Sequence, residues 1–184
     1  MSTLVYIFGQ PGAGKTTLMR ALCAGSVMLY EADSPIKHRG FSRKGGMFVV
    51  LGADAFPFGG TDTLSYTAVS CAEKWLESLS LCAAGGLVLA EGDRLANDRF
   101  FETARKHYRL VPVYLDCNAG EATARRSRRA RQHGLPLQSE SWVKGRVTKH
   151  ANLAARQAGT IRLDAKAPPD SLAAIVWETV LLES

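Results

Sequence analysis

The chain has 184 residues, 46% of them hydrophobic and 22% charged, proportions that exclude a disordered or membrane-embedded class and suit one domain spanning 1–184. No apolar run reaches the roughly 18 residues a bilayer span requires; the longest, Leu79 to Ala90, is interrupted by Gly85 and Gly86. The net charge of +6 is concentrated, because residues 120–160 carry nine Lys or Arg against two Glu and the remainder is close to neutral.

In chain order, Thr3 to Phe8 is continuously apolar, the pattern of a central parallel strand covered on both faces. It runs into GQPGAGKTT, residues 9–17, which fits the phosphate-binding pattern G-x-x-x-x-G-K-[ST] at Gly9, Gly14, Lys15 and Thr16. A strand before and a helix after are the context that pattern needs. Gly9, Gln10, Pro11, Gly12, Ala13, Gly14, Lys15, Thr16 and Thr17 are therefore the expected nucleoside triphosphate site. The amides of Gly12 to Lys15 would wrap the β-phosphate, Lys15 would bridge the β- and γ-phosphates, and Thr16 would ligate magnesium. With no basic leader ahead of this strand, a cytoplasmic enzyme is expected, with no membrane partner. Cys23, Cys71, Cys82 and Cys117 show no C-x-x-C pairing and sit among apolar residues, as buried reduced thiols do.

The phosphate loop opens a helix from Lys15 to Ala24, stopped by Gly25. Val27 to Ala32 reads as a strand ending near Glu31 and Asp33. The polar stretch SPIKHRGFSRKGG after it reads as a loop over the site. Met47 to Leu51 is a further short strand, and GADAFPFGGTD a loop punctuated by Pro57, Gly59 and Gly60. From Thr63 to Ala83 apolar residues recur at helical spacing, with Thr61 or Asp62 available as cap and Gly85-Gly86 as stop. LVLAEGD, residues 87–93, is a core strand with acids at its C-terminal end, followed by a helix over 98–108. Leu110 to Leu115 is the next strand, although Pro112 removes a ladder donor. Then come a basic helix (EATARRSRRARQ), a second helix (SESWVKGRVTKHANLAARQ) ended by Gly159, a strand from Thr160 to Leu163 and a closing helix from Pro169 to Leu182. Strands alternating with helices predict a three-layer α/β fold around a five-stranded, mainly parallel sheet.

Ligands of such sheets lie beyond the carboxyl ends of the strands. The acids there are Glu31 with Asp33, Asp62, and Glu91 with Asp93. Asp33 is the expected base for an alcohol acceptor and Glu91 the metal-side acid, with Asp93 competing for either role. Asp62 reads either as a helix cap or as a site residue. Arg125, Arg126, Arg128, Arg129 and Arg131 fall on a helix where small kinases carry a mobile lid (about 118–158), and Arg125 and Arg128 are the candidates to reach the transferring phosphoryl group. Lys144, Arg146, Lys149 and Arg156 extend the basic surface. Trp142 reads either as a stacking platform or as core. On the acceptor side, His38, Arg39, Phe58, Thr61, Asp62 and Arg94 complete the candidate substrate site, Phe58 and Phe56 as aromatics able to sandwich a base.

GQPGAGKTT, PFGGTDTLSYTA, EGDRLAN and QSESWVKGRVTKHANLA, in this order, resemble a group of bacteriophage P-loop kinases that includes the DNA kinase acting on 5-hydroxymethyluracil. The resemblance implies a P-loop NTPase fold of the nucleoside and nucleotide kinase kind with an Arg-rich helical lid. It also implies ATP and Mg2+ as cofactors, and phosphorylation of the hydroxymethyl group of that base in phage DNA on the way to a hypermodified thymine. Its polymeric partner would be DNA containing that base. A nucleoside or nucleoside monophosphate kinase acting on free nucleotides shares the loop and the arginine lid and is the alternative. A GTPase switch is disfavoured, since no N-K-x-D guanine motif occurs.

Overall fold

All six residues of the strand Thr3–Phe8 are buried, as befits a strand with a neighbour on each edge and helices on each face. The computed structural model describes residues 2–44, 46–55, 58–65, 67–82 and 86–181. In chain order the elements are β1 (Thr3–Phe8), α1 (Lys15–Cys23), β2 (Val27–Ala32), β3 (His38–Arg43), β4 (Gly46–Leu51), α2 (Ala68–Cys82), β5 (Leu87–Glu91), α3 (Asp98–His107), β6 (Arg109–Asp116), α4 (Ala119–His133), α5 (Glu140–Arg156), β7 (Ile161–Asp164) and α6 (Pro169–Leu181).

The strands form one seven-stranded sheet in the order β2-β3-β4-β5-β1-β6-β7. Strands β4, β5, β1, β6 and β7 are mutually parallel. Beyond β4 the sheet continues with β3, which lies in the stretch expected to be a loop, and with β2, the strand expected over Val27 to Ala32; each is antiparallel to its neighbour, and the sheet has seven strands where five were expected. The polar stretch read as a loop is thus largely strand. His38, Arg39, Ser42 and Arg43 hide the β pattern, and the segment is strand because β2 and β4 pair with it on both edges. Pro112 is accommodated in β6 just before the ladder to β7 begins at Val113.

The period of two along β1 assigns its side chains to two cores. Leu4, Tyr6 and Phe8 join one face under α2, α3 and the C-terminal half of α5, where Tyr6 and Phe8 meet the Phe101 ring edge-on at 5.1 and 5.7 Å. Val5 and Ile7 join the other face under α1, α6 and Ala122 at the start of α4. Burying five such side chains contributes on the order of 10 kcal/mol before chain entropy is counted. That rigidity is what holds the loop following β1. The helix expected from Thr63 starts five residues later, at Ala68, with a single 3-10 turn over Thr61–Thr63. Phe56, Pro57 and Gly85 lie outside the described residues. Among the described residues no helix is long and apolar enough to cross a membrane.

Candidate active site

The phosphate loop lies at the C-terminal end of β1, between α1 and α4. Gly12 has φ +88°, and a Cβ there would stand 2.5 Å from the Ala122 carbonyl, so only glycine lets α4 seat this close to the loop. Gly14 precedes α1 without offering a side-chain cap, which leaves the first-turn amides for an anion. Lys15 folds back over the loop, its Nζ donating to Gly9 O at 3.1 Å and Gln10 O at 3.4 Å. Gln10 turns its side chain away, donating to Cys117 O, and Ala13 is buried beneath. Gly9, Pro11, Gly12, Gly14, Lys15, Thr16 and Thr17 line a cavity of about 450 Å³ that also takes in Phe58, Asp62, Glu91, Asp93, Arg94, Arg128 and Trp142.

The three acids at this cavity sit in different environments. Glu91 ends β5, next to β1, and is 1% exposed. Burial pushes its carboxyl above the usual carboxylate range, against the pull of Lys15 and the Thr16 hydroxyl. Thr16 Oγ1 donates to Glu91 Oε1 at 2.9 Å, while Oε2 is buried without a hydrogen-bond partner. A buried carboxylate oxygen left over beside the loop threonine is a donor set that fits a hard divalent cation retaining several waters. Thr16 and Glu91 are therefore the residues that would hold magnesium.

Asp93, two residues on, is committed elsewhere. Its Oδ1 takes Lys149 Nζ at 2.8 Å, its Oδ2 faces Arg146 at 3.1 Å, and His150 Nε2 sits 2.9 Å from Oδ1 without hydrogen-bond alignment. Partial burial would raise its carboxyl, but contacts from His150 and Lys149 outweigh that and hold it well below the usual range. With every oxygen facing a cation, Asp93 anchors α5 rather than ligating a metal. His150 is buried against Phe8, and burial holds its imidazole below the ordinary value.

Asp62 accepts the backbone N–H groups of Asp93 and Arg94 at its Oδ1, at 2.8 and 3.1 Å. It caps that turn, not α2, and the residue also lines the cavity. The turn carrying it is pressed onto β5: Gly60, at φ +62°, would bring a Cβ within 2.4 Å of Glu91 O.

Several expected site residues lie elsewhere. Asp33 follows β2, four strand positions from β1, which is about 19 Å across the sheet. Its side chain is 79% exposed and pairs with Lys37 at 3.1 Å, so it cannot serve as base at the phosphate loop. His38 bonds through Nδ1 with Ile36 O at 2.7 Å and packs on Trp75, while Arg39 is buried with its Nε on Gly52 O at 3.3 Å; neither lines the cavity. Thr61 is fully buried, its hydroxyl 3.0 Å from that of Tyr6, and contributes packing instead of a substrate contact. Lys144 lines an adjoining, mostly apolar cavity of about 820 Å³ between α4 and α5, which shares Phe58, Arg129 and Gln138 with the first and is walled by Ala130, Leu135, Pro136, Leu137, Val143 and Val147.

The arginines of α4 divide as well. Arg125 touches the cavity but is tied to Glu121 Oε1 at 2.8 Å, Ala165 O at 3.1 Å and Ala13 O at 3.3 Å. Arg126 donates to Pro11 O at 2.8 Å. Both brace the loop backbone. Arg128 faces the cavity and is exposed, and Arg129 lies 5.0 Å over the Phe58 ring. Trp142, 40% exposed, lines the cavity with Arg146 5.3 Å over its ring, so it is not core. The anchoring role of Lys149 and His150 is absent from the expected site. Its signal was the i, i+3, i+4 spacing of Arg146, Lys149 and His150, which puts three nitrogen-bearing side chains on one helix face opposite the EGD acid.

Residues 1–167 match a family model described as P-loop Nucleotide Kinase3. Among solved structures, the chain is similar to a sugar kinase from a Janibacter species (17% identity, 98% of this chain and 96% of that one, TM-score 0.57). It is likewise similar to a shikimate kinase from Aquifex aeolicus (13% identity, 98% of each chain, TM-score 0.54) and a gluconokinase from Sinorhizobium meliloti (14% identity, 99% and 97%, TM-score 0.51). At these identities the likeness is one of fold. No curated protein sequence matches.

Proposed function

Since the chain belongs to the P-loop Nucleotide Kinase3 family, we propose that it is an ATP-dependent kinase that phosphorylates the hydroxymethyl group of 5-hydroxymethyluracil in phage DNA. The observation that carries this reading is the rim of the phosphate-loop cavity. Two exposed aromatics, Phe58 and Trp142, each stand under an arginine there, Arg129 and Arg146. An aromatic face takes an unstacked base, and the guanidinium beside it takes the flanking phosphodiester.

In this reading Lys15 and the loop amides hold the triphosphate, and Arg128 meets the transferring group. The hydroxymethyl oxygen attacks the γ-phosphorus, the bond to the bridging oxygen of ADP breaks, and Asp62 Oδ2 receives the hydroxyl proton. When bound at Thr16 and Glu91, magnesium neutralises phosphate charge. Asp62 replaces Asp33 as base because Glu91 is turned to Thr16 and Asp93 is enclosed by cations. Asp62→Asn keeps an Oδ1 acceptor for the turn, so a kcat loss of about 10²–10⁴ with unchanged unfolding is expected; near-normal kcat would remove Asp62 from the role.

A free nucleoside or nucleoside monophosphate is the second reading, favoured by the family description and by a cavity of about 450 Å³, roomy for a single nucleotide. Labelled phosphate transfer from ATP to hydroxymethyluracil-containing oligonucleotides, against the free nucleotide, separates the two. Incorporation confined to the free nucleotide ends the polymer reading.

A further inference from the structure

The cavity of about 820 Å³ between α4 and α5 is large enough for a whole small ligand, and no step of the proposed reaction uses it. The repeat of α5 separates it from the phosphate-loop cavity. Trp142, Arg146 and His150, four residues apart, line the phosphate-loop cavity, while Val143, Lys144 and Val147, one position round the helix, line the larger one. Phe58, Arg129 and Gln138 belong to both, so the two spaces meet where Arg129 stands 5.0 Å over the Phe58 ring.

The larger space has the character of a base site. Its wall is mostly apolar, and Leu137 and Val147 on it are 70% and 36% exposed, apolar surface left open to water. Gln138 Oε1 at the junction is buried without a hydrogen-bond partner, an acceptor that a ring or amino N–H would satisfy. A flat, largely apolar body edged with N–H donors is a nucleobase. Lys144 on the same wall supplies a cation for a phosphodiester, and Glu140, one turn before it, is the acid of the lining.

We propose, on the polymer reading given above, that this cavity is the subsite for the nucleobase next to the target in the same strand. The connectivity of the strand chooses this occupant. With Arg129 beside Phe58 holding the phosphodiester that flanks the target, the nucleotide on the far side of that phosphodiester is carried past the junction, and the larger cavity is the space that receives its base. A free nucleotide as acceptor leaves this cavity without a use.

Phosphate transfer to short single-stranded oligonucleotides with one 5-hydroxymethyluracil tests it, an abasic site being placed 5′ or 3′ of the target so that every phosphodiester is kept. One of the two abasic sites is expected to raise KM about tenfold with kcat within about threefold, the size of losing one stacked base. Ala130→Trp fills the cavity from α4. It is expected to raise KM for the intact oligonucleotide by a similar factor and to shrink the abasic effect below about threefold, with the circular dichroism spectrum kept. Should that variant not fold, the abasic comparison in the wild type decides alone. Transfer to the oligonucleotide that neither abasic site alters, or an abasic effect undiminished in folded Ala130→Trp, overturns the subsite and leaves the polymer reading standing. Transfer confined to duplex, where the neighbouring base stays paired, does the same. Transfer confined to the free nucleotide overturns both.

Discussion

Helices α4 and α5 flank the same cavity and both are basic, yet their cations meet different partners. On α4, Arg125 and Arg126 donate to the carbonyls of Ala13, Ala165 and Pro11, so guanidinium groups brace the phosphate loop from outside. On α5, Arg146, Lys149 and His150 converge on one carboxylate, Asp93. The difference teaches that a count of positive charges overstates what is offered to phosphate. Carbonyls and a half-buried acid take up much of the excess, and Arg128 stands out as a cation of α4 turned to the cavity and exposed.

The comparison breaks first at α4. Arg128→Ala is expected to lower kcat about 10²–10³-fold, as loss of a group facing the transferring charge does. Arg125→Ala is expected to raise the KM for ATP about tenfold with kcat within threefold, because it loosens the loop. Steady-state kinetics with the two effects exchanged would reverse the assignment. At α5 the expected effect is on stability. Asp93→Asn leaves three nitrogen-bearing groups without their acid and costs about 2–3 kcal/mol in urea unfolding, against about 1 kcal/mol for Arg126→Ala on α4. Equal losses would show that the two anchors are alike.

The smallest expected effect is in pH dependence. Hydrogen bonding holds the Asp93 carboxyl down, so the stability it supplies is complete above the unfolded carboxylate value near 3.9 and is lost as pH falls toward its folded value. Burial holds His150 down, so the unfolded chain takes up that proton first and stability declines as pH falls through about 6.5. Unfolding free energy should therefore fall from pH 7 to pH 3 in two stages, and Asp93→Asn should reduce the lower one, to which Asp54 and Asp98, held down by Arg20 and Arg156, also contribute. A wild-type profile flat over this interval would contradict the pairing.

Much of this was legible in the chain itself, for physical reasons that vary by residue. β1 and its loop were legible because a fully buried strand must be apolar throughout, and a phosphate-wrapping turn must place glycines where its backbone goes left-handed. Glu91 was legible from its place at the end of an apolar strand. β3 was not, because its residues are mostly polar and it exists by pairing on both edges, a tertiary fact. Asp33 misled for a related reason: a strand's acid is near the phosphate loop only if the strand is near β1, and sheet order is not written in local pattern. The fates of Arg125 and Arg126 were hidden because backbone carbonyls, unlike acids, leave no mark in composition.

The most direct measurement is phosphate transfer from γ-labelled ATP by wild type and by Lys15→Ala, with thermal unfolding recorded on both. The account predicts transfer to a hydroxyl acceptor by the wild type, a loss of at least about 10³-fold in the variant, and unfolding temperatures within a few degrees of each other. A fully active Lys15→Ala protein, or a wild type that transfers phosphate to no hydroxyl offered, would contradict it.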